Sequence, residues 1–367
     1  MKQLYTGRPN IPNIDDFLAK SEKILENKWL TNNGPYVKEL ETRLSEYLGV
    51  KHVISVCNAT IGLMVAIKAL GLTGEVILPS FTFVASAHVL QWDGITPVFC
   101  DIDPSTHNID VAKAESLITD KTTGIMGVHL WGRPCPHDEL LVVSRKHGLR
   151  LLYDAAHAFG TTYKSIPIAS LEDISVLSFH ATKSFSTFEG GAIVTNDDEL
   201  ARIARLMCNY SFEGEDIVTG LGLNAKMTEI HAAFGLSSLD NHEKVLAHNK
   251  DIYEYYKEKL SNIDGISIID YHDNEKHNRH YIITEIDSSV FGHSRDAVHS
   301  HLQANGIMAR RYFYPGCHMS QPYRSLYPGI VLPHSESLCD RVLALPGGSG
   351  IDCFEQIDGI ISTLCDI

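Results

Sequence analysis
With 367 residues, 44% of them hydrophobic, the chain has enough apolar material for one large domain and a smaller one, and nothing in it reads as fibrous, repetitive or disordered. Acidic residues outnumber basic ones by 45 to 31, and the net charge of −14 argues against nucleic acid or an anionic membrane as partner, so a phosphate-bearing ligand must find local donors. The opening residues lack an apolar signal core, no apolar run reaches the ~18 residues of a membrane span, and the eight cysteines form no Cys-x-x-Cys pair. A cytoplasmic protein with reduced thiols, no disulfide framework and no structural metal is expected.

In chain order, residues 14–29 repeat apolar positions at helical spacing, with Asp15 and Asp16 in the favourable first turn. Leu30-Thr-Asn-Asn-Gly-Pro35 breaks that helix and 36–48 resumes one. His52–Val56 reads as a buried strand, followed by Asn58-Ala59-Thr60 and a helix over 61–70. A strand, a tight loop and a helix start make an anion site, although Asn58 and Thr60 equally suit plain capping. After a strand over 75–78, Pro79–Ala85 opens the next helix, and Phe81 and Phe83 by default read as core. Strands follow over 97–103 and 124–132; His129 and Trp131 end the second, with His129 read as a satisfied structural histidine.

Arg150–Asp154 is a strand ending in a carboxylate, followed by the small-residue run Ala155-Ala156-His157-Ala158. The runs 174–179 and 191–195 are two more buried strands, and the polar stretch between them holds Lys183 and closes on Gly190-Gly191. Gly222–Gly235 opens a long helical pattern that continues, with an interruption near 240, to about 260. Beyond it lie strands over 265–270, 280–286 and 307–313 and helices over 294–305, 334–344 and 352–366, with Arg310, Arg311 and the cluster Tyr312-Phe-Tyr-Pro-Gly-Cys-His318 among them. This divides the chain into a large domain, 1–246, and a small α/β domain, 247–367.

A lysine at the mouth of a sheet loses hydration, which lowers its pKa and frees the lone pair for Schiff-base chemistry. Ligands of open α/β sheets bind at the carboxyl ends of the strands, where Asp154 also sits. A Schiff-base lysine paired with an aspartate on a pyridinium nitrogen is what pyridoxal 5′-phosphate (PLP) requires, because the carboxylate keeps the ring protonated and able to accept electrons. The combination Asp154-Ala-Ala-His-Ala-Phe-Gly160, Ser178-Phe-His-Ala-Thr-Lys183 and Glu189-Gly-Gly191 resembles the nucleotide-sugar aminotransferases of the DegT/DnrJ/EryC1/StrS family, over about residues 30–350.

That resemblance implies the aspartate-aminotransferase-like fold type I, a large domain with a mostly parallel sheet flanked by helices plus a small C-terminal α/β domain. It implies catalysis by Lys183 and Asp154, with PLP passing through pyridoxamine 5′-phosphate. It further implies cofactor contacts from Asn58, Ala59, Thr60, Phe83 as the stacking ring, Ala156, His157 and Ser178. Asn224 would reach the partner's cofactor phosphate across a homodimer. Asn58-Ala59-Thr60 departs from the family's Ser-Gly-Thr, and Lys226 stands where arginine is usual. His180, Glu189, Lys226, Arg310, Tyr314 and His318 are the substrate candidates, and the segment Thr31–Pro35 is expected near the substrate mouth. The implied partners are L-glutamate and a nucleotide-diphosphate keto-sugar. The wording around Lys183 is most similar to enzymes aminating C4 of dTDP-4-keto-6-deoxy-D-glucose, for surface polysaccharide such as lipopolysaccharide O-antigen, with a 3-keto isomer as the nearest alternative. The family's dehydratases carry histidine in place of the lysine, and Lys183 argues against them; Lys183 and Asp154 together argue against a non-catalytic binding protein.

Overall fold
A computed structural model of the chain describes residues 3–171, 173–271 and 275–367. Its strands in chain order are β1 (Leu4–Tyr5), β2 (His52–Val56), β3 (Glu75–Pro79), β4 (Thr96–Cys100), β5 (Thr122–Val128), β6 (Arg150–Asp154), the small hairpin β7 (Thr162–Tyr163) and β8 (Ile166–Pro167), β9 (Ile174–Ser178), β10 (Gly191–Thr195), β11 (Ile266–Ile268), β12 (Ile282–Ile286), β13 (Ile307–Met308) and β14 (Val342–Leu345).

Seven of them make the main sheet, in the order β2-β10-β9-β6-β5-β3-β4. β10 runs antiparallel to both its neighbours and every other pairing in this sheet between β9 and β4 is parallel. Parallel strands must be joined by crossovers, and those crossovers cover both faces, so the strands are apolar on both sides rather than alternating. Ile77, Ile125, Leu151 and Leu177 point to a layer that includes Leu40, Leu44, Leu140 and Leu236. Their neighbours Val76, Met126, Leu152 and Val176 point the other way, against Leu63, Ile67, Ala87 and Leu200. This is the large α/β unit the resemblance implies.

The small unit is the antiparallel sheet β11-β12-β14 backed by the helices His242–Leu260, Arg295–Ala304 and Phe354–Cys365. The expected division at 246/247 falls inside the unbroken helix His242–Leu260. β1, from the part assigned to the large domain, pairs in parallel with β13. A further apolar cluster joins Phe81, Ile102, Leu130 and Trp131 to Ile269, Tyr281, Ile283 and Val342, so the two units share packed core.

Three element assignments change. Residues 222–228 do not open the long helix, which begins at Glu229. Their backbone pairs elsewhere: Cys57 N–H donates to the Ala225 carbonyl and Ala225 N–H to that of Cys208. Residues 342–344, read as the end of a helix, belong to β14, because this apolar run pairs with β12 inside the core. The strand expected over 307–313 is only two residues long; β1 takes its edge, after which Arg310 pairs with Ala344.

The turn Thr31–Pro35 is fixed by a buried carboxylate. Glu229 is fully buried and accepts from the N–H groups of Tyr36 (2.8 Å) and Val37 (3.2 Å) in the first turn of the helix Pro35–Leu48. These donors have no intrahelical acceptor and lie at the positive end of the helix dipole, where a carboxylate is favoured. A Cβ on Gly34 would stand 2.6 Å from the Glu229 carboxyl carbon, so the cap needs glycine at that position.

Candidate active site
The carboxyl ends of the parallel strands open into a cleft of about 570 Å³. Asp154 ends β6, Ser178 ends β9, Lys183 lies between β9 and β10, and Asn58–Thr60 join β2 to the helix Ala59–Ala69. Phe83 follows β3, and the small unit closes the far wall with Tyr281, Arg310, Tyr312 and Phe313.

The Lys183 amine donates to the Tyr281 hydroxyl at 3.0 Å. Burial pulls its pKa down to about 8, against the opposing pull of the Asp154 carboxylate. At pH 7 such an amine is neutral about a tenth of the time, against well under a thousandth for an ordinary lysine. It is therefore a ready nucleophile and, once protonated, a willing acid. The loop that holds it is tied from outside, since the Asn10 side-chain amide donates to the carbonyls of Lys183 (3.3 Å) and Ser184 (3.2 Å).

Asp154 is buried, and burial pushes its carboxyl above the usual carboxylate range, although the Ser86 hydroxyl (2.7 Å) and Ala156 N–H (3.1 Å) both donate to it and pull it down. Among the described residues no cation bonds to it. A desolvated acid with no cation bonded to it fits the ring nitrogen of PLP, which would bring a positive charge into contact with it.

At the other end of the cleft, Asn58 caps the helix Ala59–Ala69, its side-chain oxygen accepting from Ile61 N–H at 2.9 Å. The N–H groups of Ala59 and Thr60 find no acceptor among the described residues, so two donors and the helix dipole face the cleft. Gly191 makes room for this turn, since a Cβ there would stand 2.8 Å from Ala59 N and 2.7 Å from the Leu177 carbonyl. The residues present thus fit a phosphate at one end of the cleft, a pyridinium at the other and an amine between them.

Phe83 and Phe81 part company: Phe81 is core, whereas Phe83 is 55% exposed and lines the cleft. His157 stacks on Phe313 at 5.8 Å and 8°. Its Nδ1 accepts from Trp131 N–H (3.2 Å) and burial holds its pKa well below the usual value, so the ring is neutral with its hydrogen on Nε2. His180 bonds Thr182 through Nδ1 (2.8 Å) and lies 3.6 Å from Glu189 through Nε2. His129 is fully buried and held neutral, its pKa pushed down to about 3 by burial, which suits the structural reading.

Asn58, Ala59, Thr60, Phe83, Asp154, Ala156, His157, Ser178, His180, Lys183, Glu189 and Arg310 are brought together in this cleft. Four other candidates are not. His318 is buried behind it, bonded to the Ser80 hydroxyl (2.6 Å) and the Glu336 carboxylate (3.2 Å), because a loop crossing the sheet end satisfies its polar atoms with these partners. Tyr314 turns outward onto the guanidinium groups of Arg295 and Arg311, and Arg311 is paired with Asp296. Asn224 and Lys226 lie outside their own chain's cleft, drawn away by the pairing of 224–226 with Asn209 and Val56; Lys226 bonds the Asn209 side chain at 2.8 Å and shares a second hollow with Asn32 and Asn33. Of the cluster 312–318, Tyr312 and Phe313 line the cleft, whereas sequence reasoning missed Tyr281, His280 and the segment Tyr5–Gly7, which line it as well. The pair His280-Tyr281 at the head of a strand was the one available signal.

Residues 13–364 match the DegT/DnrJ/EryC1/StrS aminotransferase family. The chain is 41% identical to a dTDP-4-amino-4,6-dideoxy-D-glucose transaminase of Escherichia coli, over 94% of each chain. It is 39% identical to an enzyme of the same name from Shigella dysenteriae, over 100% of this chain and 99% of that one. Among solved structures, that of DesI in the presence of its TDP-sugar product superposes with a TM-score of 0.95 at 44% identity, covering 99% of this chain and 92% of that one.

Proposed function
Because the chain belongs to the DegT/DnrJ/EryC1/StrS aminotransferase family, and is therefore an aminotransferase, we propose that it moves the amino group of L-glutamate to C4 of dTDP-4-keto-6-deoxy-D-glucose with PLP as cofactor. The observation that carries the chemistry is the convergence of Lys183 and Asp154, from two strand ends, on one cleft with free helix N–H groups at its end. The sugar and its C4 position are supported by the names of the two similar transaminases.

In this reading Lys183 would hold the cofactor through its amine, Asp154 would keep the ring nitrogen protonated, Ala59 and Thr60 N–H would hold the phosphate, and Phe83 and His157 would add contacts from the cleft wall. When bound, PLP supplies the carbon that carries the nitrogen and the ring that accepts the electron pair. Lys183 Nζ takes the proton from the amino-bearing carbon of glutamate and, in the second half, returns one to C4 of the sugar. Arg310, exposed at the mouth with no ion-pair partner among the described residues, suits the diphosphate or the donor carboxylate. In this reading the reaction is cytoplasmic and its product feeds a surface polysaccharide such as O-antigen. A panel of nucleotide keto-sugars with glutamate, read by product mass and NMR, is expected to give the 4-amino sugar with equal 2-oxoglutarate. Amination of a 3-keto isomer alone overturns the position, and activity on keto acids alone overturns the class of substrate.

The active unit in this reading is a homodimer. Asn224 and Lys226 sit beside an outward loop with exposed Tyr210, Phe212, Ile217, Val218 and Leu221, a surface suited to a second copy. Mixing the inactive Lys183→Ala and Asn224→Ala chains is expected to restore about one quarter of wild-type activity, since half of the re-formed dimers then hold one intact site. No recovery, with hybrid dimers shown to form, counts against a shared site.

A further inference from the structure
The Lys183 amine has one side-chain hydrogen-bond partner among the described residues, the hydroxyl of Tyr281, 98 positions further along the chain. Tyr281 stands at the head of β12 and is 7% exposed, its ring packed against His157 at 4.8 Å and His280 at 5.0 Å. With its ring so fixed, the hydroxyl has one place to be, at the cleft wall beside the amine. The other ionisable groups facing Lys183 are Asp154, Tyr312, His157 and His280. Both imidazoles are held neutral, His157 well below its usual pKa and His280 pushed down to about 4, in each case chiefly by burial. Burial also drives the Tyr281 phenol up, so it stays un-ionised and can accept from an ammonium or donate to an amine.

We propose that Tyr281 is a positioning residue for Lys183, its hydroxyl holding Nζ at the cleft wall and favouring the charged amine at the moment it carries a proton. The proposal rests on the reading of Lys183 as the reacting amine. A free lysine side chain has four rotatable bonds, and one fixed acceptor keeps the head group where the proton must be taken and returned. Hydrogen bonds to a charged donor are roughly twice as strong as neutral ones, so the hydroxyl stabilises the ammonium more than the amine. It thereby opposes the burial that favours the neutral form and eases the step in which Nζ acquires its proton.

Tyr281→Phe removes the oxygen and keeps the ring. Trace acetylation of Lys183 across pH 6–10 in the cofactor-free full-length protein, quantified by peptide mass spectrometry, reads the amine without any turnover. Loss of the hydroxyl is expected to lower the midpoint by roughly half to one unit, raising labelling at pH 6.5 about 3- to 10-fold. In the loaded enzyme kcat should fall about tenfold with little change in KM for the sugar. Tyr281→Met, which lacks both hydroxyl and ring, should shift the labelling curve by the same amount. A Phe curve superimposed on the wild-type curve, or a shift in the Met variant alone, overturns the proposal. Neither result depends on which sugar is the substrate.

Discussion
Replacing Lys183 with Ala is expected to cut transamination by roughly three to four powers of ten, since the variant has neither the amine that holds the cofactor nor the group that moves the proton. The loss should fall on both half-reactions, measured separately with glutamate alone and with the keto-sugar on pre-aminated enzyme. Cofactor should still bind noncovalently, because the donors at Ala59 and Thr60 are untouched. Stability should not fall. The folded-state pKa of Lys183 lies below its unfolded value, so the charged amine costs stability below about pH 8, and this penalty fades as pH rises toward the unfolded value. The variant should therefore melt no lower than wild type at pH 7. Borohydride reduction of the wild-type enzyme followed by peptide mapping should place the label on Lys183; label on another lysine would sink the assignment.

Asp154→Asn should slow turnover about 10²- to 10³-fold with the fold retained, because an amide cannot keep a ring nitrogen protonated. The amide oxygen can still accept from Ser86 or Ala156, so the local geometry has little cause to move. The sign of the stability effect is again informative. Burial raises the folded-state pKa of Asp154, so its ionised form costs stability above that pKa, and the neutral amide relieves the cost at pH 7. An Asn variant with normal turnover would show that Asp154 does not face the ring nitrogen. One with low turnover and a melting point no lower than that of wild type at pH 7 is the expected result.

Lys183 and Asp154 were legible because their signal is local: a lysine between two apolar runs, and a carboxylate at a strand end before small residues. The sheet was legible for the same reason, since buried parallel strands are short continuous apolar runs. Tyr281 was not, because at the head of β12 it looks like any β-forming aromatic, and only the docking of the two units brings its hydroxyl to Lys183. His318 misled because its cluster carries chemistry-bearing side chains whose partners, Ser80 and Glu336, come from separate stretches. The stretch 222–228 has helical periodicity, but its backbone partner Cys57 lies far upstream, beyond any window that periodicity can sense. Phe83 shows the limit from the other side: its residue type says core, and its position beside the cleft leaves it 55% exposed.

The segment Tyr5–Gly7 and Asn10 close the cleft and tie the Lys183 loop, yet β1 is anchored on β13, and the Thr6 hydroxyl donates to the Met308 carbonyl 302 positions away. At synthesis rates of about 5–20 residues per second, this strand leaves the ribosome roughly 15 to 60 s before the chain it pairs with. Throughout that interval the large sheet can form, but the strand edge of Leu4–Tyr5 has no native partner and the lysine loop has no outer tie. The nascent chain therefore acquires its cofactor-sized hollow in two stages. A scaffold of strand ends is present by about residue 195, and a finished wall follows only after Ile307 and Met308 have emerged.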